Sequence, residues 1–244
     1  MLAETVTTPV FRTLETLVDG IPGWSELDQL YTLHNLVYLT SHLDGDILEI
    51  GSFCGRSTVA LALAAGQTGE ARVFAVDLFP ERSDWRRNPD GSYSFSVRIG
   101  GRQIGGYEEQ TVWEEPFLRN IAPLYERSNG LLEIFRQTLD RLGLERNVVA
   151  FRGDSSLFVQ TLPRSQRFRF VFLDGDHSYE AVRRDIENVE SYLAPGAWIG
   201  FDDAFSCYDG VNRAIQEMIL VSGKYELGRQ FTRKFFAARR KADA

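Results

Sequence analysis

The chain has 244 residues, enough for one α/β domain with a sizeable core and a small appendage. Its 34 acidic residues outweigh 27 basic ones, a net charge of −7 that argues against a general nucleic-acid binder. No apolar run is long enough to cross a membrane, Met1–Thr5 lacks the basic and apolar regions of a signal peptide, and Cys54 and Cys207 form neither a metal-type pair nor a disulfide framework. A reduced, cytoplasmic protein is the default expectation.

Phe11, Leu14, Leu17 and Val18 predict a short first helix, which Ile21-Pro-Gly-Trp24 breaks. Ser25 is placed to cap a second helix, in which Leu27, Leu30, Tyr31, His34, Val37 and Tyr38 recur at helical spacing. His34 lies on the buried face and reads as a hydrogen-bonded core or rim histidine. Residues 1–44 are therefore expected to form an N-terminal helical cap on a domain spanning 45–244.

Asp46 to Thr58, D-I-L-E-I-G-S-F-C-G-R-S-T, is the central stretch. Ile47, Leu48 and Ile50 are strand-compatible, Gly51 permits a sharp turn, and Gly55 permits a close backbone approach. Ser57 and Thr58 lead into a helix of small residues, Val59 to Ala65, suited to packing closely on a sheet. Strand, glycine loop and helix start together make a nucleotide-type site at the carboxyl end of a parallel sheet. The spacing is not G-x-G-x-x-G, and Glu49 puts a carboxylate where a pyrophosphate would sit. A nicotinamide cofactor is thereby disfavoured over a ligand with a positive centre and an amino-acid tail. The stretch resembles motif I of the class I S-adenosylmethionine-dependent methyltransferases.

Ala71 to Asp77 reads as the second strand, and Asp77 follows the glycine turn at the distance expected of a ribose-binding carboxylate. Residues 79–115 exceed a minimal fold. Pro80 to Gly91 is turn-rich, Ser92 to Ile99 alternates like an exposed strand, and Gly100-Gly101 can close a hairpin. This insert leaves the carboxyl end of a strand, so it is read as a substrate-binding or lid segment, or an oligomer contact. Its arginines, Arg82, Arg86, Arg87, Arg98 and Arg102, suit a carboxylate or phosphate, or simply a solvated loop.

Helices are expected over Glu115–Arg127 and Leu131–Leu142, then a strand over Asn147–Phe151. Asp154 and Ser155 follow that strand, and either can cap the helix at Leu157–Leu162. Phe168–Leu173 is an apolar central strand, and Ala197–Phe201 is the next one, each ending in acids. Helices over Tyr179–Leu193 and Val211–Val221 and a terminal strand pair, Tyr225–Arg229 and Thr232–Ala238, complete a doubly wound α/β sheet.

Asp174, Asp202 and Asp203 end neighbouring parallel strands, so their carboxylates meet at one rim. Such a cluster repels itself unless protonated or bridged by a cation, and oxygen-only ligands suit Mg²⁺, with Mn²⁺ or Ca²⁺ as alternatives. Asp176 and His177, two and three residues beyond Asp174, are the candidates for a general base, with Asp176 favoured.

Leu173-Asp-Gly-Asp-His-Ser-Tyr179 together with Ala194-Pro-Gly-Ala-Trp-Ile-Gly-Phe-Asp-Asp203 is similar to the metal-dependent sugar O-methyltransferases, relatives of the macrolide and aminocoumarin enzymes. The resemblance runs from Asp46 to about Ala238 and implies a Rossmann-like methyltransferase sheet with a closing antiparallel strand pair. It also implies that Glu49 and Gly51, with Ser52 and Ser57 of the same loop, border the methionine part of S-adenosylmethionine. Asp77 would hold the ribose, Asp154 and Ser155 the adenine, Asp174, Asp202 and Asp203 the metal, and Asp176 would be the base. The implied partner is a small-molecule hydroxyl acceptor, first a sugar or glycosylated compound. A catechol-type O-methyltransferase and a cephalosporin-hydroxylase-like enzyme on the same fold are the alternatives. A homo-oligomer is compatible with the cap and the insert.

Overall fold

A computed structural model describes residues 9–243, with side-chain surroundings from residue 13 onward. Met1–Thr5 and the side chain of Phe11 lie outside what is described. Among the described residues no helix is long and apolar enough to cross a membrane.

A seven-stranded sheet forms the centre. Its strands in chain order are β1 (Asp46–Ile50), β2 (Val73–Asp77), β6 (Val148–Arg152), β7 (Phe168–Leu173), β8 (Leu193–Phe201), β9 (Tyr225–Gln230) and β10 (Phe236–Arg240). The spatial order is β6-β2-β1-β7-β8-β10-β9. The first five pair in parallel, whereas β10 runs antiparallel to both β8 and β9. This is the doubly wound sheet with a closing antiparallel pair that the strand count predicts. The chain reverses its direction of winding between β1 and β7, and ligands bind at the carboxyl ends on either side of such a point.

One face of the sheet, including Ile47, Val73, Ala75, Phe170 and Phe172, packs on α1 (Pro9–Val18), α2 (Leu27–Leu39) and α3 (Arg56–Thr68). The small residues of α3 have their reason here: Ala60, Ala62, Ala64 and Ala65 are fully buried, as the helix is covered on several sides. The N-terminal helices are thus part of the main core. The Arg56 guanidinium ties them down, donating to the carbonyls of Val18, Ile21 and Ser25 at 2.7–3.2 Å. Ser25 does not cap α2; the cap position falls on Glu26, without a side-chain bond, and the Ser25 carbonyl serves Arg56 instead.

The other face, with Leu48, Ile50, Val171 and Leu173, packs on α8 (Tyr179–Glu190) and α9 (Asp209–Ala214), which runs on into a π-type turn, Ile215–Leu220.

The insert forms a second, three-stranded antiparallel sheet of β3 (Trp85–Arg87), β4 (Tyr93–Ile99) and β5 (Arg102–Gly106). Gly100 and Gly101, with φ of +58° and +79°, make the tight turn of the β4–β5 hairpin. An aromatic cluster of Trp85, Phe95 and Phe117 holds this sheet to the helical stretch after it, α4 (Glu114–Pro116), a π-type turn (Phe117–Ile121) and α5 (Ala122–Arg127). Three of the insert's arginines are used internally: Arg86 pairs with Glu108, Arg87 with Glu114, and Arg82 lies over the Phe117 ring. Two further helices, α6 (Leu131–Leu142) and α7 (Ser155–Val159), flank β6.

The tightest backbone approach is at Gly51, between β1 and β7. Its φ is +94°, and a Cβ there would stand 1.9 Å from the Asp174 carbonyl oxygen. Gly51→Ala must therefore strain the backbone and part the two strands. It is expected to cost at least about 2 kcal/mol of stability, read as a lowered denaturant midpoint. A midpoint equal to wild type would contradict this packing.

Candidate functional site

The glycine loop from Gly51 to Gly55 leaves β1 and enters α3. Its shape is held from β2: Asp77 accepts from the Phe53 amide at 2.9 Å and from the Phe79 amide at 2.6 Å. Phe53 and Phe79 both have positive φ, 45° and 43°, so the carboxylate fixes two strained turns at once. Burial pushes the Asp77 carboxyl up, against these amides. A carboxylate has about four lone-pair sites, and the amides of Phe53, Phe79 and Ser52 all draw on them. Gly55 has φ of +92°, and a Cβ there would also stand 3.2 Å from the ring of Phe135 on α6, a tight contact. Close packing within the protein thus accounts for both glycines.

Glu49 is fully buried at the end of β1. The Thr58 hydroxyl donates to its Oε2, but Oε1 has no partner, and neither does the buried Ser52 hydroxyl. Burial pushes the Glu49 carboxyl up to about 7, resisted by the hydroxyls of Ser57, Thr58 and Ser52. Buried polar atoms are rarely left without partners. Ser52 lies close enough to hold the carboxyl down, yet neither its hydroxyl nor Glu49 Oε1 has a partner in regular hydrogen-bond geometry, and an ammonium group would answer the carboxylate.

Asp154 caps α7, accepting from the Leu157 amide at 2.8 Å. Ser155 is buried, and its hydroxyl faces α8, donating to Asp185 at 2.5 Å while accepting from Asn188 at 2.8 Å. Burial pushes the Asp185 carboxyl up to about 7. Asp154 stays half-buried at the loop, with one oxygen engaged by the cap.

The acidic rim forms as the strand order requires. Asp174, Asp202 and Asp203 converge, but a cation of the protein's own stands among them. Lys234 Nζ lies 3.0 Å from Asp202 Oδ2 and 3.5 Å from Asp203 Oδ1. The other oxygen of the buried Asp202 accepts from Gln29 Nε2 at 2.8 Å, across from α2. Burial pulls the Lys234 ammonium down, yet Asp202, Asp203 and Asp174 outweigh it and raise its affinity for the proton. Burial, then the neighbouring Asp202, push Asp174 well above the carboxylate range.

His177 completes the rim. Its ring stacks on Tyr208 at 4.7 Å, and its Nδ1 meets Gln110 Oε1 of the insert at 2.6 Å. A proton on Nδ1, donated to that oxygen, leaves the lone pair on Nε2. Nε2 is buried, without a hydrogen-bond partner, and faces Asp203 Oδ2 at 3.7 Å and Asp174 Oδ1 at 4.0 Å. Burial lowers the His177 affinity for a proton, against the pull of Asp203 and Asp202. Asp176 is half-buried and spends one oxygen on the Ser178 amide, 2.8 Å away, at the start of α8.

The three carboxylates expected to hold Mg²⁺, those of Asp174, Asp202 and Asp203, meet at this rim, with Lys234 and Gln29 each on one oxygen of Asp202 and Lys234 beside Asp203. Among the described residues no three His, Cys, Asp or Glu side chains stand in an arrangement that could hold a metal ion.

The model of a sequence family described as "Methyltransferase domain" matches residues 48–204. The chain belongs to this methyltransferase family. Solved structures agree on the fold. The O-methyltransferase NovP is 16% identical, with a TM-score of 0.63, over 88% of this chain and 80% of NovP. An O-methyltransferase from Bacillus cereus in complex with SAH is 18% identical, TM-score 0.59, over 98% and 94% of the two chains. The calicheamicin methyltransferase CalS11 is 18% identical, TM-score 0.56, over 95% and 93%.

Four rim residues were not found from sequence: Gln29, Gln110, Lys234 and Tyr107, whose hydroxyl is raised by burial and by Asp174, Asp77 and Asp176. Only Lys234 carries a sequence signal, as one of three lysines in the chain and the one that precedes the last strand.

The raised carboxyl of Glu49 has a consequence for stability. Folded Glu49 binds its proton more tightly than the unfolded chain does, so it stabilises the fold at low pH and loses that contribution as pH rises from about 4.5 to about 7. Glu49→Gln removes this dependence. In ligand-free protein, the stability difference should move in favour of Glu49→Gln by up to roughly 3 kcal/mol across that window. Parallel pH profiles of the two denaturation curves would contradict the assignment.

Proposed function

We propose that this methyltransferase transfers the methyl group of S-adenosylmethionine to a hydroxyl of a small molecule, a sugar or glycosylated compound. The observation that carries the cofactor is the unpaired Glu49 Oε1 beside the unpaired Ser52 hydroxyl, buried at the end of β1. The ammonium of an amino-acid tail satisfies that carboxylate, and Asp77 accepts from ribose hydroxyls through its remaining lone-pair capacity. Gly51, Ser57 and Asp154 border the same loops. Ser155 contributes through its buried bond to Asp185, which fixes the loop after β6. Similar folds carry the same ligands: the Bacillus cereus enzyme is in complex with SAH, and TomG from Streptomyces achromogenes is in complex with SAM. The acceptor class is supported by CalS11, described as a TDP-rhamnose 3′-O-methyltransferase.

The cofactor supplies an electrophilic methyl group on sulfonium. What remains for the protein is to hold a hydroxyl in line with it and to take away the proton. Positioning contributes up to roughly 7–11 kcal/mol in favourable cases. The rim offers oriented acceptors, and His177 Nε2 offers a buried lone pair with no other partner. We assign the proton transfer to His177, ahead of Asp176, because an oxygen of Asp176 is already committed to the Ser178 amide. Gln110 keeps the proton on the far side of the ring, and Tyr208 keeps the ring in plane.

The test is transfer of isotope-labelled methyl from S-adenosylmethionine to a panel of hydroxylated sugars, nucleotide sugars and catechols. His177→Gln should lower turnover by about 10²–10⁴-fold with S-adenosylhomocysteine affinity unchanged. Asp176→Asn should cost less than about tenfold. The opposite ranking would transfer the base role to Asp176.

A further inference from the structure

We propose that Lys234 is the resident cation of the acidic rim, occupying the position that a divalent metal would take, so that the site works without one. Lys234 Nζ touches Asp202 and approaches Asp203. A divalent ion bridging these two carboxylates would have to share their oxygens with the ammonium, at a separation where two positive charges repel strongly. Each oxygen of Asp202 already has one partner, Lys234 on one and Gln29 on the other, so a metal ion would have to compete with both.

The ammonium is placed by the fold and not by a flexible tail. Antiparallel pairing of β10 with β8 sets Phe236 opposite Phe201, so the chain before β10 runs alongside the acids that follow β8. The Ala204 amide donates to the Lys234 carbonyl at 2.8 Å and fixes that register beyond the strands. Lys234 is itself largely buried, with a side-chain exposure of 16%. An ammonium has three donors, of which one is spent on Asp202 while Asp203 stands 3.5 Å away.

The inference rests on the methyltransferase reading only in treating the rim as the acceptor site. Its test uses neither cofactor nor acceptor, so it can fail while cofactor binding holds. Mn²⁺ is titrated calorimetrically into the full chain, and melting is followed with and without Mn²⁺. Wild type and Lys234→Arg should show no saturable uptake. Lys234→Gln and Lys234→Met should gain one site, binding at least about tenfold more tightly than wild type, and adding Asp203→Asn should abolish it. Should the neutral variants not fold alone, recovery of a cooperative melt on adding Mn²⁺ supports the proposal, and no recovery overturns it. Saturable uptake by wild type that Asp203→Asn abolishes would overturn it. So would folded neutral variants that take up no Mn²⁺.

Discussion

Three aspartates end two adjacent parallel strands, and such a cluster folds only if something answers its charge. Removing carboxylates from water is costly, and their mutual repulsion adds to that cost. Here the answer comes from the protein. Lys234 meets Asp202 and Asp203, Gln29 meets Asp202, and burial beside Asp202 raises the Asp174 carboxyl. The parallel pairing of β7 with β8 sets Leu173 level with Phe201, so each strand delivers its acids to the same edge. The approach of Gly51 to the Asp174 carbonyl brings the glycine loop of β1 to that edge as well.

The parts outside the parallel sheet explain themselves through this rim. The second N-terminal helix contributes Gln29, the insert contributes Gln110, and the loop before the closing strand contributes Lys234. Each reaches one of the groups that the parallel sheet assembles. The insert's own aromatic cluster gives it enough structure to hold Gln110 against His177, and Tyr208 closes the other face of that ring. A segment anchored in this way holds Gln110 at the rim.

Most of the fold is legible in the sequence because its strands are short apolar runs bracketed by turn residues, with amphipathic helices between them. The doubly wound sheet and the meeting of acids at the ends of its later strands follow from that alternation. What is not legible is contact between segments far apart in the chain. Nothing in the sequence around Gln29 or Gln110 announces a partner more than sixty residues away. Lys234 depends on the β8–β10 register, which a one-residue shift would undo. The ammonium beside the three acids comes from the last hairpin, so the strand ends alone do not announce it. The roles of Gly51 and Gly55 were also incomplete, since their neighbours are the Asp174 carbonyl and the Phe135 ring. Ser25, expected as a cap, lies one residue before the cap position, which falls on Glu26.

The central claim is that the loop between Glu49 and Asp77 holds S-adenosylmethionine. Calorimetric titration of S-adenosylhomocysteine into the folded protein, with NAD⁺ as the control, tests it most directly. The account predicts saturable one-to-one binding of S-adenosylhomocysteine alone, weakened about 10–100-fold by Asp77→Ala through lost hydrogen bonds to a charged group. No binding of S-adenosylhomocysteine, or equal binding of NAD⁺, would contradict it.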